Sequence, residues 1–139
     1  EALLAGEMSG HIFFADRYFG FDDALYATLR ILEILSHSEI PLHEMLADGP
    51  ETFATPEIRV ACDDAEKFSL VQQVVEHYRP THELADIDGA RIQFDGGWAL
   101  VRASNTQAVL VLRFEADSEA RLAEIRAEVE SVLDGFRGN

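Results

Sequence analysis

The sequence predicts an α+β protein in which two helices cover one face of a mostly antiparallel sheet. Residues 57–139 read as a strand, a helix, three strands and a final helix (β-α-β-β-β-α), an order typical of helices gathered on one face of such a sheet. The strand segments alternate apolar with polar residues or are bounded by glycine and polar turns, whereas the helical segments repeat apolar residues every three or four positions. Residues 1–47 contain too few strands for a complete domain.

The first 47 residues predict two short strands, at 2–5 and 11–14, joined by a glycine-bounded turn. A helix follows them, because Asp22 and Asp23 suit an N-cap and first turn and leucines recur on one face at positions 25, 29, 32 and 35. Its apolar face is wide enough to need burial on more than one side. We expect a further short helix from Pro41 to Leu46.

Prolines at positions 50 and 56, with a glycine at 49, predict an extended connector over residues 48–56. The chain is therefore expected to have three parts: 1–47, a hinge at 48–56, and 57–139. In the third part, residues 57–62 alternate as a strand does, and the apolar stripes over 65–78 and from Ser118 onward predict helices. The three strands between the helices are expected at 91–94, 98–101 and 109–114.

Composition restricts the partners of this chain. Its 11 basic and 26 acidic residues give a net charge of −15, which repels nucleic acid and anionic membrane surfaces. No apolar run reaches the ~18–20 residues that a membrane span requires. Cys62 is the only cysteine and cannot form an internal disulfide, which favours a reducing, cytoplasmic location. We expect no nucleic-acid partner, no membrane partner and no metal held by this chain.

Two polar clusters could bind a ligand. The first, Arg102-Ala103-Ser104-Asn105-Thr106, falls between two predicted strands and offers a guanidinium and three small hydrogen-bonding groups that could surround a phosphate. The alternative is an ordinary polar turn whose arginine faces solvent.

The second cluster is Gly6-Glu7-Met8-Ser9-Gly10-His11. Glu7 and Ser9 alternate, so both can point to one side, where a carboxylate and a hydroxyl would suit neighbouring sugar hydroxyls. His11 titrates near neutral pH and could act as an acid or a base. The alternative is a hairpin turn whose histidine packs against a strand.

Together these stretches resemble the C-terminal part of bacterial phosphomannomutases/phosphoglucomutases, members of the α-D-phosphohexomutase superfamily. The resemblance covers nearly the whole chain, and both clusters occur in the order and separation found in that family. The stretches that carry it are Gly6–Phe14, Tyr18–Asp23, Thr55–Val60, Asp95–Trp98, Arg102–Thr106 and Arg113–Ala116.

The resemblance implies that residues 1–47 are the C-terminal part of an α/β domain 3 and residues 57–139 a domain 4 similar to the TATA-binding-protein fold. It implies a parent enzyme that interconverts hexose 1-phosphate and hexose 6-phosphate, of mannose or glucose, through a glucose 1,6-bisphosphate-type intermediate with Mg²⁺ as cofactor. Glu7 and Ser9 would then hold the sugar, and His11 would assist proton transfer. The phosphate would be held by Arg102, Ser104, Asn105 and Thr106.

The family's phosphoserine loop and magnesium loop are absent from this sequence, so we expect the isolated chain to be inactive and to work with the remaining domains of a parent enzyme. One alternative is a stand-alone sugar-phosphate-binding or regulatory module; another is an acidic interaction domain whose loops are incidental. Because residues 1–47 carry more apolar surface than they can cover, we also expect them to be poorly ordered or to mediate self-association.

Overall fold

Residues 2–7 and 9–137 are described by a computed structural model, in which the chain divides into two units, Glu1–Gly49 and Pro50–Asn139. Across these described residues, no helix combines the length and the apolar character that crossing a bilayer requires.

The first unit contains a two-stranded sheet and one helix. Strands β1 (Leu4–Gly6) and β2 (Ile12–Phe14) pair antiparallel, and α1 (Ala24–Ser36) follows them. Helix α1 begins after Asp23, whose carboxylate accepts a hydrogen bond of 2.9 Å from the Tyr26 backbone N–H and thereby satisfies one free helix donor. The predicted helix after Pro41 is a single 3₁₀ turn, Leu42–Glu44.

Burial in the first unit is slight. Ala27 is the only buried side chain among its described residues, and the apolar face of α1 is open. Leu25 is 79% exposed, Leu29 62% and Ile34 58%. The expectation of uncovered apolar surface in residues 1–47 is therefore met on α1.

The second unit contains a six-stranded antiparallel sheet with two helices. The strands are β3 (Phe53–Ala54), β4 (Ile58–Ala61), β5 (Leu84–Ala85), β6 (Ala90–Phe94), β7 (Gly97–Ala103) and β8 (Val109–Ala116). Strands β3 and β4 both pair with β8, which is followed across the sheet by β7, β6 and β5. The helices are α2 (Lys67–Tyr78) and α3 (Glu119–Arg137).

Both helices contact the sheet and each other, and the core lies between them and one face of the central strands. Alternate residues of β7 and β8 provide that face, because successive side chains of a strand point to opposite sides. Ala99 and Val101 of β7 stand opposite Phe114 and Leu112 of β8, and all four are buried. The α+β fold class is confirmed, and from β4 onward the chain adds one strand, β5, to the predicted order β-α-β-β-β-α.

Two short strands were not predicted, β3 and β5, because a two-residue strand shows no alternation. Strand β3 lies inside the stretch 48–56 that we expected to be a connector, so the second half of that stretch is part of the sheet. The ladder continues through Thr55, whose N–H donates to the Phe114 carbonyl at 3.0 Å and whose hydroxyl accepts from the Phe114 N–H at 3.2 Å. Pairing breaks off at Pro56, which has no N–H to donate.

Candidate functional site

The first candidate loop, residues 6–11, connects β1 and β2. The Glu7 N–H donates to the His11 carbonyl at 2.9 Å, and the Gly10 N–H donates to the Glu7 carbonyl at 3.0 Å. Gly10 has a φ of +89°, a conformation that side-chain-bearing residues seldom adopt, so glycine is needed for this sharp turn. Met8 lies outside the described residues.

Glu7 and Ser9 are brought together on this loop. The Ser9 hydroxyl donates to Oε2 of Glu7 at 3.0 Å, and both side chains are exposed. A carboxylate and a hydroxyl thus stand side by side facing solvent, as their alternation in the sequence predicted. A ligand hydroxyl can replace Ser9 as the donor to Glu7 at little cost, because the bond that it displaces is itself exposed to water.

His11 forms a close pair with Asp22. His11 Nδ1 lies 2.5 Å from Asp22 Oδ2, and an antiparallel bridge between Phe13 and Asp22 brings the two backbone segments together. The pKa of His11 is raised from 6.5. The main cause is the hydrogen bond to Asp22, and the second is the negative charge of the same carboxylate. The imidazole is 54% exposed, so it is accessible to a ligand.

Asp22 is a further candidate functional residue, although its position before α1 predicts a helix cap. Asp23 is the residue that caps α1, which leaves the neighbouring carboxylate free to pair with His11. The sequence contains a signal for this role. A helix has one N-cap, so only one of the two adjacent aspartates can cap α1 and the other is available for a different contact.

The second candidate loop, residues 102–108, connects β7 and β8. The Ser104 N–H donates to the Val109 carbonyl at 3.0 Å, which closes the turn. The Ser104 hydroxyl oxygen accepts from the backbone N–H groups of Thr106, at 3.4 Å, and Gln107, at 3.2 Å. Ser104 therefore organises the loop as an accepting cap and keeps its hydroxyl proton available for a ligand.

Asn105 and Thr106 form the exposed tip of the second loop. Within the described part of the chain, neither side chain has a hydrogen-bonding partner, so both can turn toward a ligand. The Ala108 carbonyl accepts from the Cys62 N–H at 3.0 Å, which ties this end of the loop to the residue after β4.

Arg102 stands near the end of β7 with its side chain 42% exposed. Its NH1 group donates to Oδ2 of Asp88 at 3.2 Å. The contact depends on Gly89, whose φ is +96° and whose hydrogen faces the Val101 carbonyl so closely that a Cβ would lie 2.6 Å from that oxygen. The segment 86–89 can therefore lie directly against Arg102 only with glycine at position 89.

A cavity of about 340 Å³ borders Arg102 on the α2 side, and its walls include Val71, Val75 and the segment 86–89. Asp88 occupies only the NH1 nitrogen of Arg102, and the side chain is partly exposed. The other N–H groups of the guanidinium can therefore still donate to an anion. Throughout residues 2–7 and 9–137, no three side chains of His, Cys, Asp or Glu converge as metal ligands would.

Comparison with known proteins supports a specific family. The model of the phosphoglucomutase/phosphomannomutase C-terminal domain matches residues 57–132, and the model of the same family's alpha/beta/alpha domain III matches residues 1–53. Phosphomannomutase/phosphoglucomutase of Pseudomonas syringae pv. tomato is 48% identical over 133 residues, and phosphoglucomutase of Neisseria meningitidis serogroup A is 45% identical over 139 residues.

These two alignments cover 95% and 96% of this chain but only 29% of each relative. A crystal structure of a phosphoglucomutase/phosphomannomutase family protein from Burkholderia thailandensis superposes with a TM-score of 0.82 at 40% identity, covering 98% of this chain and 29% of that one. The chain thus spans about 29% of the length of the relatives it matches. On these matches, and with the fold described above, the chain belongs to the phosphoglucomutase/phosphomannomutase family.

Proposed function

We propose that this chain is the substrate-binding C-terminal portion of a phosphohexomutase that interconverts the 1-phosphate and 6-phosphate of mannose or glucose. The observation that carries the proposal is the second loop, where an arginine and three small polar residues surround one tight turn in a chain of net charge −15. In so acidic a chain, a local cluster of hydrogen-bond donors that includes an arginine is unexpected unless the cluster binds an anion.

The second loop would hold the phosphate that is not reacting. Arg102 provides the charge and a rigid fork of donors, and Ser104, Asn105 and Thr106 add neutral donors around it. Each charge-assisted hydrogen bond contributes about 1.5–3 kcal/mol, so a few of them hold a phosphomonoester despite the acidic surface. Asp88 pairs with Arg102, and phosphate would compete with that carboxylate for the guanidinium.

The first loop would hold the sugar. Glu7 accepts and Ser9 donates or accepts, which matches the paired hydroxyls at O3 and O4 of a hexose. These hydroxyls lie near the middle of the molecule, so one pair of residues can hold the sugar in both of the orientations that successive phosphoryl transfers require. Mannose and glucose differ in configuration at carbon 2. Contacts at O3 and O4 do not involve that carbon, so they would allow both sugars to bind.

His11 would transfer a proton at the reacting hydroxyl. Asp22 holds its Nδ1 side, which fixes the orientation of the ring, and the raised pKa keeps more of the imidazole protonated near neutral pH. The carboxylate also stabilises the imidazolium formed when His11 accepts a proton.

The parent enzyme would work through a glucose 1,6-bisphosphate-type intermediate, and Mg²⁺ would neutralise charge on the transferring phosphoryl group. The described residues offer no fitting cluster of metal ligands, so we propose that the remaining domains of the parent hold the ion. The isolated chain would then bind phosphosugar without turning it over. The lone cysteine favours a cytoplasmic location.

A stand-alone sugar-phosphate-binding or regulatory module is the second candidate function. It would use the same two loops without catalysis. The exposed apolar face of α1 favours the first candidate, because leucines exposed on one helix face need a partner surface, which the rest of a domain 3 would supply. In the isolated chain the same face would promote self-association.

The test is an NMR titration of the chain with glucose 1-phosphate and, separately, with inorganic phosphate. We expect both ligands to shift the backbone amide signals of residues 102–108, and only the sugar phosphate to shift those of 6–11 as well. Arg102→Ala should weaken binding of both ligands at least about tenfold without unfolding the chain. The absence of loop-localised shifts at millimolar ligand would overturn the proposal and favour an acidic interaction domain with incidental loops.

A further inference from the structure

Lys67 is the only lysine of the chain, and it is 3% exposed. Lysine is among the residues least often buried, because its ammonium loses hydration that only well-placed partners can replace. Lys67 lies at the first position of α2, which would allow the side chain to reach solvent if nothing held it. Its burial therefore indicates a specific set of contacts.

Those contacts lead to the second loop. The ammonium of Lys67 donates to the backbone carbonyl of Gln107 at 3.1 Å and pairs with Asp64 Oδ1 at 2.5 Å. Asp64 is 72% exposed, so the pair consists of a buried cation and a carboxylate at the surface. The single buried ammonium of this protein is thus directed at a backbone atom of the candidate phosphate loop.

Gln107 is the most strongly held residue of that loop. Its carbonyl accepts a second bond, from the Val109 N–H at 2.9 Å, and its N–H donates to the Ser104 hydroxyl oxygen. Its side-chain oxygen accepts from NH1 of Arg59 at 2.7 Å. One end of the loop is therefore held by two cations from outside it, whereas Asn105 and Thr106 remain at the exposed tip.

We propose that Lys67 is a positioning residue of the phosphate site, acting through the Gln107 carbonyl; this rests on the proposed function of the second loop. By fixing Gln107, the ammonium holds the Ser104 turn in the shape that presents the tip residues and the Ser104 hydroxyl to one anion. A loop already ordered before binding loses less conformational entropy when the phosphate arrives, so the affinity is higher. Lys67 itself does not touch the ligand.

The test uses the full chain with inorganic phosphate as the probe. Lys67→Met removes the ammonium but keeps the length of the apolar stem, and we expect phosphate affinity to fall about three- to tenfold, because the loop must then be ordered by the ligand. Hydrogen exchange of the Thr106 and Gln107 amides should become faster. Lys67→Arg keeps a charged donor and should restore affinity to within about threefold of the original chain.

The control is Val129→Ala, which removes buried volume from α3. It should lower the stability of the fold and leave phosphate affinity unchanged. A loss of affinity in Val129→Ala equal to that in Lys67→Met would mean that Lys67 acts only through stability, and it would overturn the inference.

A second measurement needs no variant at this position. Since Lys67 is the only lysine, ¹⁵N-lysine labelling gives one side-chain signal, which should shift with phosphate at the same midpoint as the loop amides and stay fixed in Arg102→Ala. Phosphate binding at the loop without that shift, or unchanged affinity in Lys67→Met, would contradict the role of Lys67 and leave the proposed function intact. No binding by the original chain would contradict the proposed function itself.

Discussion

The two units of this chain differ in how much of their apolar surface they bury. The second unit places the alternate residues of its central strands under two helices and buries a continuous core. The first unit, with two three-residue strands and one helix, buries Ala27 alone among its described residues and leaves the leucines of α1 exposed. The second unit therefore contains the packing that a stable fold needs, whereas the first leaves an apolar helix face uncovered.

The two candidate loops follow the same division. The second loop connects the two longest strands of a buried sheet and is held by Ser104, Lys67 and Arg59. The first loop connects two short strands that have no buried residue, and it relies on exposed contacts of Glu7 and His11 with their neighbours. We infer that the proposed phosphate-binding loop is largely ordered within this chain, whereas the proposed sugar-binding loop would become rigid only against the rest of its domain.

The largest expected difference between the units is in stability. Phe114→Ala in β8 should lower the free energy of unfolding by about 3–5 kcal/mol, because it leaves a cavity in the core. Leu29→Ala in α1 should change it by less than about 0.5 kcal/mol, as exposed positions do. Urea denaturation followed by circular dichroism at low protein concentration measures both. Equal losses would show that α1 is covered in solution.

Self-association tests the exposed face of α1 directly. The chain should associate at high concentration in sedimentation experiments, and Leu29→Glu should weaken that association at least about tenfold, because a charge replaces buried apolar area. Ile87→Glu, at an exposed residue of the second unit, is the matched control and should leave association unchanged. A chain that stays monomeric at millimolar concentration would remove the need for a partner surface.

A smaller effect is expected at Asp88. Asp88→Asn should raise phosphate affinity about two- to fourfold, the size of one exposed ion pair, because the ligand no longer competes with a carboxylate for Arg102. Isothermal titration calorimetry with inorganic phosphate measures the change. Asp86→Asn, which alters the contact with Arg79 instead, should have no such effect. Weaker binding in Asp88→Asn would mean that Asp88 orients Arg102 for the ligand.

The smallest effect on the fold is expected at Asp22. Asp22→Asn should lower the pKa of His11 toward 6.5, since the hydrogen bond and the charge of Asp22 are its main causes. The pair stabilises the fold fully below the unfolded pKa of about 6.5, and its contribution disappears as the pH rises through the raised folded value. NMR titration of the His11 ring protons measures the shift. An unchanged pKa would contradict the pairing.

The sequence predicted the elements whose residues repeat over several turns or strand positions. Apolar residues recur every three or four positions in α2 and α3 and at alternate positions in β4. These repeats predicted the elements, because burying one face of a helix or strand requires apolar residues at regular intervals. Strands β3 and β5 were missed because two residues cannot show a period, and their existence depends on the neighbouring strands β8 and β6. The residues of both loops could be selected from their chemistry alone.

What the sequence determined by itself was the type of each long element, the strongly negative net charge, and the choice of polar residues at two turns. Tertiary structure decided how those residues are held: Asp22 against His11, Asp88 against Arg102 and Lys67 against Gln107. Each of these pairs joins residues that lie 11 to 40 positions apart in the chain. Such contacts depend on strand pairing and helix packing, which bring distant segments together, and no local pattern of residues records them.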